Sequence, residues 1–266
     1  MTPRVATVGD NCIDRYAAPL AVSTVGGNAV NVAVRLRELG IVSAYFGAVG
    51  DDAAGRRVLA ALDAAGVERS HVRIAAGHTA TTDLVVDASG ERVIGAEDFG
   101  ACRGYRVPPD DLDRLAAMAH VHIGWLADGG DLRRRLRERG VSVSQDLAVN
   151  PGAHGLDIAF ASAGADRARG EALIRQTLGE GARLAVVTLG AMGSMVSDGR
   201  EAVEISILPI HVVDTTGAGD SFIAGFIAAR MTGNPLRVCL EAARQAAAAT
   251  CTHIGGFRQV PVALKG

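Results

Sequence analysis

Lysine is all but missing from this chain: Lys265, next to the C-terminus, is the only one, and every other basic residue is arginine. A Walker A loop is therefore excluded, because its Gly-Lys-Ser/Thr ending needs lysine to reach the phosphates, and so is an interior Schiff-base lysine. Any triphosphate handled here must be held by backbone amides, arginine and a metal ion. Cysteine is scarce as well. Cys12, Cys102, Cys239 and Cys251 are widely spaced with no Cys-x-x-Cys pair, which suits reduced thiols better than a disulfide framework or a zinc site. Charge of one sign is also lacking: 27 basic and 29 acidic residues give a net charge of -2. They are spread without long blocks, which points away from a nucleic-acid or membrane surface and toward small-molecule chemistry. No apolar stretch approaches ~18 residues, and Arg4 to Val8 reads as a strand with no leader pattern before it, so a cytoplasmic protein is expected.

What is present is enough apolar material, 48 % of 266 residues, for one large α/β domain or two small ones. The most informative stretch is Val213-Asp-Thr-Thr-Gly-Ala-Gly-Asp-Ser-Phe222, followed by an apolar run from Ile223 to Met231. Gly217, Ala218 and Gly219 are small enough for backbone N–H groups to face a ligand, and the helix they open adds the positive end of its dipole. That makes an anion cradle. Asp220 puts a carboxylate where an anion should bind, an arrangement that makes chemical sense if it takes a proton from a hydroxyl attacking a phosphate. An ordinary glycine-rich strand-to-helix turn with an acid in its first helical turn accounts for the same spacing.

Two further stretches carry polar groups at element ends. Gly9-Asp10-Asn11-Cys12-Ile13-Asp14 follows the first strand, at the end where open α/β sheets bind ligands; Asp10 and Asp14 are sugar-clasping candidates, or else a turn carboxylate and an exposed strand carboxylate. Gly26-Gly27-Asn28-Ala29-Val30-Asn31 opens a helix running to about Leu39. Asn28 and Asn31, three apart, share a face of its first turn. Two amides beside a Gly-Gly turn suit a polyol; an N-cap and a solvated asparagine are the alternative.

Taken in order, these stretches resemble the N-terminal and C-terminal signatures of the ribokinase-like (PfkB) carbohydrate kinases. The resemblance implies an anion hole at Gly217, Ala218 and Gly219 with Asp220 as catalytic base, and a sugar pocket of Asp10, Asp14, Gly26, Gly27, Asn28 and Asn31. It implies a nucleotide loop at Thr188, Gly190 and Gly193, with Gly217 and Gly219 also meeting the nucleotide. ATP with Mg2+ held through its phosphates is expected, and a K+ or similar monovalent cation near Asp214 and Thr216. Gly50-Asp51-Asp52 with Gly55 is similar to a further family segment of architectural role.

Two departures stand out. The arginine that family members often carry after the strand ending at Asp146 is missing from Asp146-Leu-Ala-Val-Asn150. Ser162-Ala-Gly-Ala165 also replaces the family's Asn-x-x-Glu, leaving the Mg2+ shell open, with Asp166 and Glu171 nearby. The opening segment, Phe160 to Ala163 and Asp220 to Phe226 look most like the branch of the family that phosphorylates fructosamines such as fructoselysine at the 6-hydroxyl. A generic sugar or nucleoside kinase, or a non-catalytic sugar-binding regulator, is the alternative.

The element pattern predicts a single three-layer α/β/α domain over 1–266 with a mainly parallel sheet. A small β-lid is expected from residues 12–24 and 79–96, with a hairpin turn at Asp87 to Gly90; the resemblance implies that it covers the sugar and pairs two copies in a homodimer. His120 and His122 alternate on a strand without a third ligand nearby, and read as structural or pocket-lining histidines. Arg133, Arg134, Arg135, Arg137 and Arg139 read as the solvated face of a helix.

Overall fold

The computed structural model describes residues 3–87 and 91–264, so the hairpin turn residues 88–90 and Lys265 lie outside the described residues. Nine strands form the main sheet: β1 (Arg4–Val8), β4 (Val42–Gly50), β5 (Val72–Ala75), β8 (His120–Ile123), β9 (Val143–Asp146), β10 (Ile158–Ser162), β11 (Ala185–Thr188), β12 (Ser194–Ser197) and β13 (Ala202–Ile205). Their order is β13-β12-β11-β10-β9-β8-β1-β4-β5. β12 alone runs against the rest, so that its pairings with β11 and β13 are the antiparallel ones.

Alternation along the parallel strands sends successive side chains to opposite layers. Val5, Ile158, Phe160 and Val186 join one core, packed under α1 (Asn28–Glu38), α7 (Ala218–Met231) and α8 (Leu236–Thr250). Ala6, Val8, Val121 and Ala159 join the other, under α4 (Pro109–Ala116) and α5 (Gly129–Glu138). The helix α2 (Ala53–Ala64) extends the first layer, α6 (Arg167–Gly179) covers Val187 and Met195 on the second, and the short α3 (Gly100–Gly104) directly precedes α4. The expected three layers are present. Phe226 is fully buried and meets Phe160 edge-on at 5.7 Å, so Phe226→Ala is expected to cost about 3–5 kcal/mol in a denaturant titration.

A second sheet, ordered β14-β3-β2-β6-β7, supplies the strands expected for a lid: β2 (Cys12–Tyr16), β3 (Val22–Gly26), β6 (Thr81–Val86) and β7 (Arg92–Asp98). To these it adds β14 (Val262–Ala263), which pairs with β3 and was not apparent from the sequence. Period two places Cys12, Asp14 and Tyr16 on one face of β2, and Tyr16 reaches across the chain to donate to Asp214 at 2.8 Å. Through Tyr16 that face meets the loop that precedes α7.

The direction of chain progression reverses between β1 and β8: β1 leads to β4 and β5 on one side, while β8 leads to β9, β10 and β11 on the other. Such a reversal opens a crevice at the strands' C-terminal ends, where ligands of α/β sheets bind.

Candidate active site

Gly217 takes φ 71 and caps α7, whose first turn carries Asp220. The Asp220 carboxylate is gripped from α1, whose Asn28 Nδ2 donates to one oxygen at 2.7 Å and Asn31 Nδ2 to the other at 2.7 Å. Two helix N-termini therefore meet at one carboxylate. Asn28 also donates to Asp146 at 3.3 Å, so the end of β9 joins the cluster.

Asp10 closes the crevice at the reversal. Its carboxylate accepts the N–H groups of Asn28 and Ala29 at the start of α1 and that of Trp125 just beyond β8, at 2.8, 3.2 and 3.1 Å. Three of its four lone pairs are thus committed to backbone, which matches the turn-carboxylate reading and leaves room for one hydroxyl. Asp14 lies over Gly26: a Cβ there would fall 2.0 Å from Asp14 Oδ2. Only glycine lets that carboxylate approach. Gly27, at φ 104, turns the chain from β3 into α1. The structure therefore brings Asp10, Asp14, Gly26, Gly27, Asn28, Asn31 and Asp220 together.

A family model described as pfkB family carbohydrate kinase matches residues 4–148 and 147–262. The chain belongs to that family. Fructoselysine 6-kinase of Escherichia coli (strain K12) is 33% identical to it over 261 residues, 95% of this chain and 99% of that protein. Fructosamine kinase of Bacillus subtilis (strain 168) is 31% identical over 267 residues, 96% of this chain and 93% of that one. The solved structure of Arabidopsis thaliana ribokinase complexed with ribose and ATP has a TM-score of 0.83 and 24% identity, covering 96% of this chain and 94% of its own. The fold is ribokinase-like. As a pfkB enzyme, the chain is an ATP-dependent sugar kinase.

The electrostatics suit a proton acceptor. Burial pushes the Asp220 carboxyl up to about 6; Asp146 adds to this, while Asn31, Arg92 and Asn28 pull against it. Burial likewise raises Asp10 and Asp146 to about 6 and Asp14 to about 7. Crowded carboxylates in a lysine-free crevice hold their protons up into the neutral range. Three amide oxygens in the same region, on Asn11, Asn28 and Asn31, are buried with no hydrogen-bond partner among the described residues. They are acceptors matched to the hydroxyl donors of a sugar.

Thr188 ends β11, and Gly190 opens the short turn that Gly193 closes at φ 115 before β12. They share the C-terminal edge of the sheet with Asp146, two strands away in the order, and form no hydrogen bond with Asp220. Among the described residues no group of three His, Cys, Asp or Glu side chains could hold a metal ion. Asp166 caps α6 and Glu171 pairs with Arg167. A divalent ion here would be held chiefly by phosphate oxygens, which is compatible with the usual sparse protein ligation of Mg2+.

The monovalent site fits less well. Asp214 is fully buried, with Oδ1 accepting Thr216 N–H and hydroxyl and Oδ2 accepting Tyr16 and Gly255. No lone pair of its carboxylate remains for a cation; it ties the anion loop to the second sheet instead. His120 and His122 are buried against Ser142 and Ser144, and burial lowers them to about 4 and 3, as structural residues.

Four site residues escaped sequence reasoning. Tyr16 was detectable from the Cys12-x-Asp14-x-Tyr16 alternation, and Asp146 from its place at a strand end. Arg92, whose charge lowers both Asp14 and Asp220 and whose N–H donates to Thr215 at 3.0 Å, has no local signature. Trp125 has none either.

Proposed function

We propose that the chain transfers the γ-phosphoryl group of ATP to the 6-hydroxyl of a fructosamine, with fructoselysine as the substrate. The observation that carries the reading is the Asp220 carboxylate, aligned by two asparagine amides at the mouth of the Gly217–Gly219 turn. In this reading Asp220 takes the proton of the primary alcohol, while the Gly217 and Gly219 amides and the α7 dipole face the charge developing on the transferring group; the Ala218 N–H, expected to join them, donates instead to Thr215. Asp14, with the unpartnered oxygens of Asn28 and Asn31, holds the sugar's other hydroxyls. Mg2+ on the ATP phosphates supplies further charge neutralisation when bound. Thr188, Gly190 and Gly193 line the nucleotide's side of the crevice, and positioning supplies most of the rate. Similarity to two fructosamine-specific relatives along nearly the whole chain supports the substrate.

The test is ATP consumption with fructoselysine, fructose, ribose and adenosine. Fructoselysine is expected to give the highest kcat/KM. Turnover of none of the fructosamines removes the substrate; turnover of no sugar at all, with sugar binding intact, favours the non-catalytic regulator.

Since Asp220 must be ionised to act as base, kcat/KM is expected to fall as pH drops through about 6, roughly tenfold per unit below it. A profile flat to pH 5 would contradict the role. The second sheet is proposed to act as a lid and to pair two copies. Val85 lies opposite Val93 at its edge, and both are about half exposed; light scattering at micromolar concentration tests for the dimer.

A further inference from the structure

Trp125 is the chain's single tryptophan, and it stands at the reversal point of the sheet. Its N–H donates to Asp10, and its half-buried indole packs against the cluster of Cys12, Ala80 and Cys102. Cys12 in turn donates its thiol to Asp14 at 3.1 Å. The backbone link to Asp10 and the indole's contact with the cluster of Cys12, the residue that bonds Asp14, set Trp125 beside the carboxylates assigned to the sugar. Phe99 stacks on it with ring centroids 3.9 Å apart and planes 19° from parallel, and the Arg103 guanidinium lies 5.8 Å from the Phe99 centroid. The result is a layered wall leading from the sugar site to the surface at α3.

Aromatic faces bury methylene surface with little loss of side-chain freedom, since both rings are already held by their stack. We infer that Trp125 and Phe99 form an aglycone subsite that takes the aliphatic chain of the amino-acid part of a fructosamine, and so select long adducts over short ones. The inference rests on the fructosamine reading and adds to it which residues select the adduct.

The experiment compares kcat/KM for the lysine adduct, linked through its side-chain nitrogen, with that for the glycine adduct of the same sugar, in wild type, Trp125→Ala, Trp125→Phe and Phe99→Leu. Wild type is expected to prefer the lysine adduct by about tenfold or more, the size of one good aromatic contact. Trp125→Ala should remove most of that preference through KM, Phe99→Leu part of it, and Trp125→Phe should keep it. If Trp125 serves only to place Asp10, its backbone N–H does so in the alanine variant as well, any change in activity is equal for both adducts and the preference stays, which overturns the subsite. A wild-type enzyme with no preference overturns it too. Turnover of neither adduct overturns the fructosamine reading itself, so the two failures are distinguishable. Should Trp125→Ala not fold, Phe99→Leu decides alone: an unchanged preference is then the contrary result. Emission of the lone tryptophan adds a readout free of turnover. Saturating lysine adduct without ATP should shift it, and an unmoved spectrum on saturation would contradict the contact.

Discussion

Asp220→Asn is expected to lower kcat by about 10²–10⁴-fold, the usual contribution of a positioned general base, while the sugar's dissociation constant changes little. The substitution keeps the side chain's size and removes only its basicity. Asn28 has an unpartnered Oδ1 that can turn to meet the new amide, so the clasp from α1 need not break. The same variant should unfold at higher temperature than wild type at pH 8. Asp10, Asp14, Asp146 and Asp220 are raised to about 6, 7, 6 and 6, above the value of about 3.9 in an unfolded chain. Groups raised on folding cost nothing below pH ~4, where both states are protonated; their cost grows from about pH 4, as the unfolded chain ionises, and is complete by about 6 to 7, where the folded state ionises too. Removing one carboxylate relieves part of that cost. A gain of about 2–4 °C at pH 8, fading toward pH 4, is the expected pattern, since ~1 kcal/mol shifts a chain of this size by that amount. Turnover near wild type, measured by ATP consumption, would contradict the assigned base; a loss of thermal stability at pH 8 would contradict the electrostatic account.

Gly217→Ala is the second large effect. Gly217 adopts φ 71, and a Cβ there would fall 2.4 Å from the Cα of Gly256. The obstruction is backbone, held in turn by Gly255 donating to Asp214, so no side chain can swing aside. Relief requires the turn itself to move, which displaces the amides that face the transferring group. A loss of about 10²–10³ in kcat is expected, comparable to losing one oxyanion-hole donor, together with a lower unfolding temperature from the strained left-handed position. Measuring kcat and the unfolding midpoint on one preparation checks both. An alanine variant with unchanged turnover would show that the turn's shape is not what holds the phosphoryl group.

The parts of the site that were legible in the sequence are those made by neighbours along the chain. Gly217 to Asp220, and Gly26 to Asn31, are each a turn and the first turn of a helix; small residues and helix spacing determine which backbone and side-chain groups face outward, whatever the rest of the chain does. The layering was legible for the same reason, since strand alternation and helix periodicity are local patterns. Ambiguity remained wherever a residue's role depended on what came to meet it. Asp10 reads equally as a sugar ligand or a turn carboxylate until β8 delivers the Trp125 N–H and α1 delivers two more. Asp214 reads as a cation ligand until Tyr16, 198 positions earlier, fills one of its lone pairs.

By itself, then, the sequence determined the family, the three-layer fold and the two glycine turns with Asp220 and the asparagines beside them. Only the tertiary structure decided that both asparagines grip Asp220, that Asp146 and Arg92 enter its electrostatic environment, and that Trp125 donates to Asp10 and stacks on Phe99. The physical reason is that these contacts are set by strand order and by the packing of the second sheet over the first. They join residues up to 192 positions apart, a separation over which no spacing rule along the chain operates.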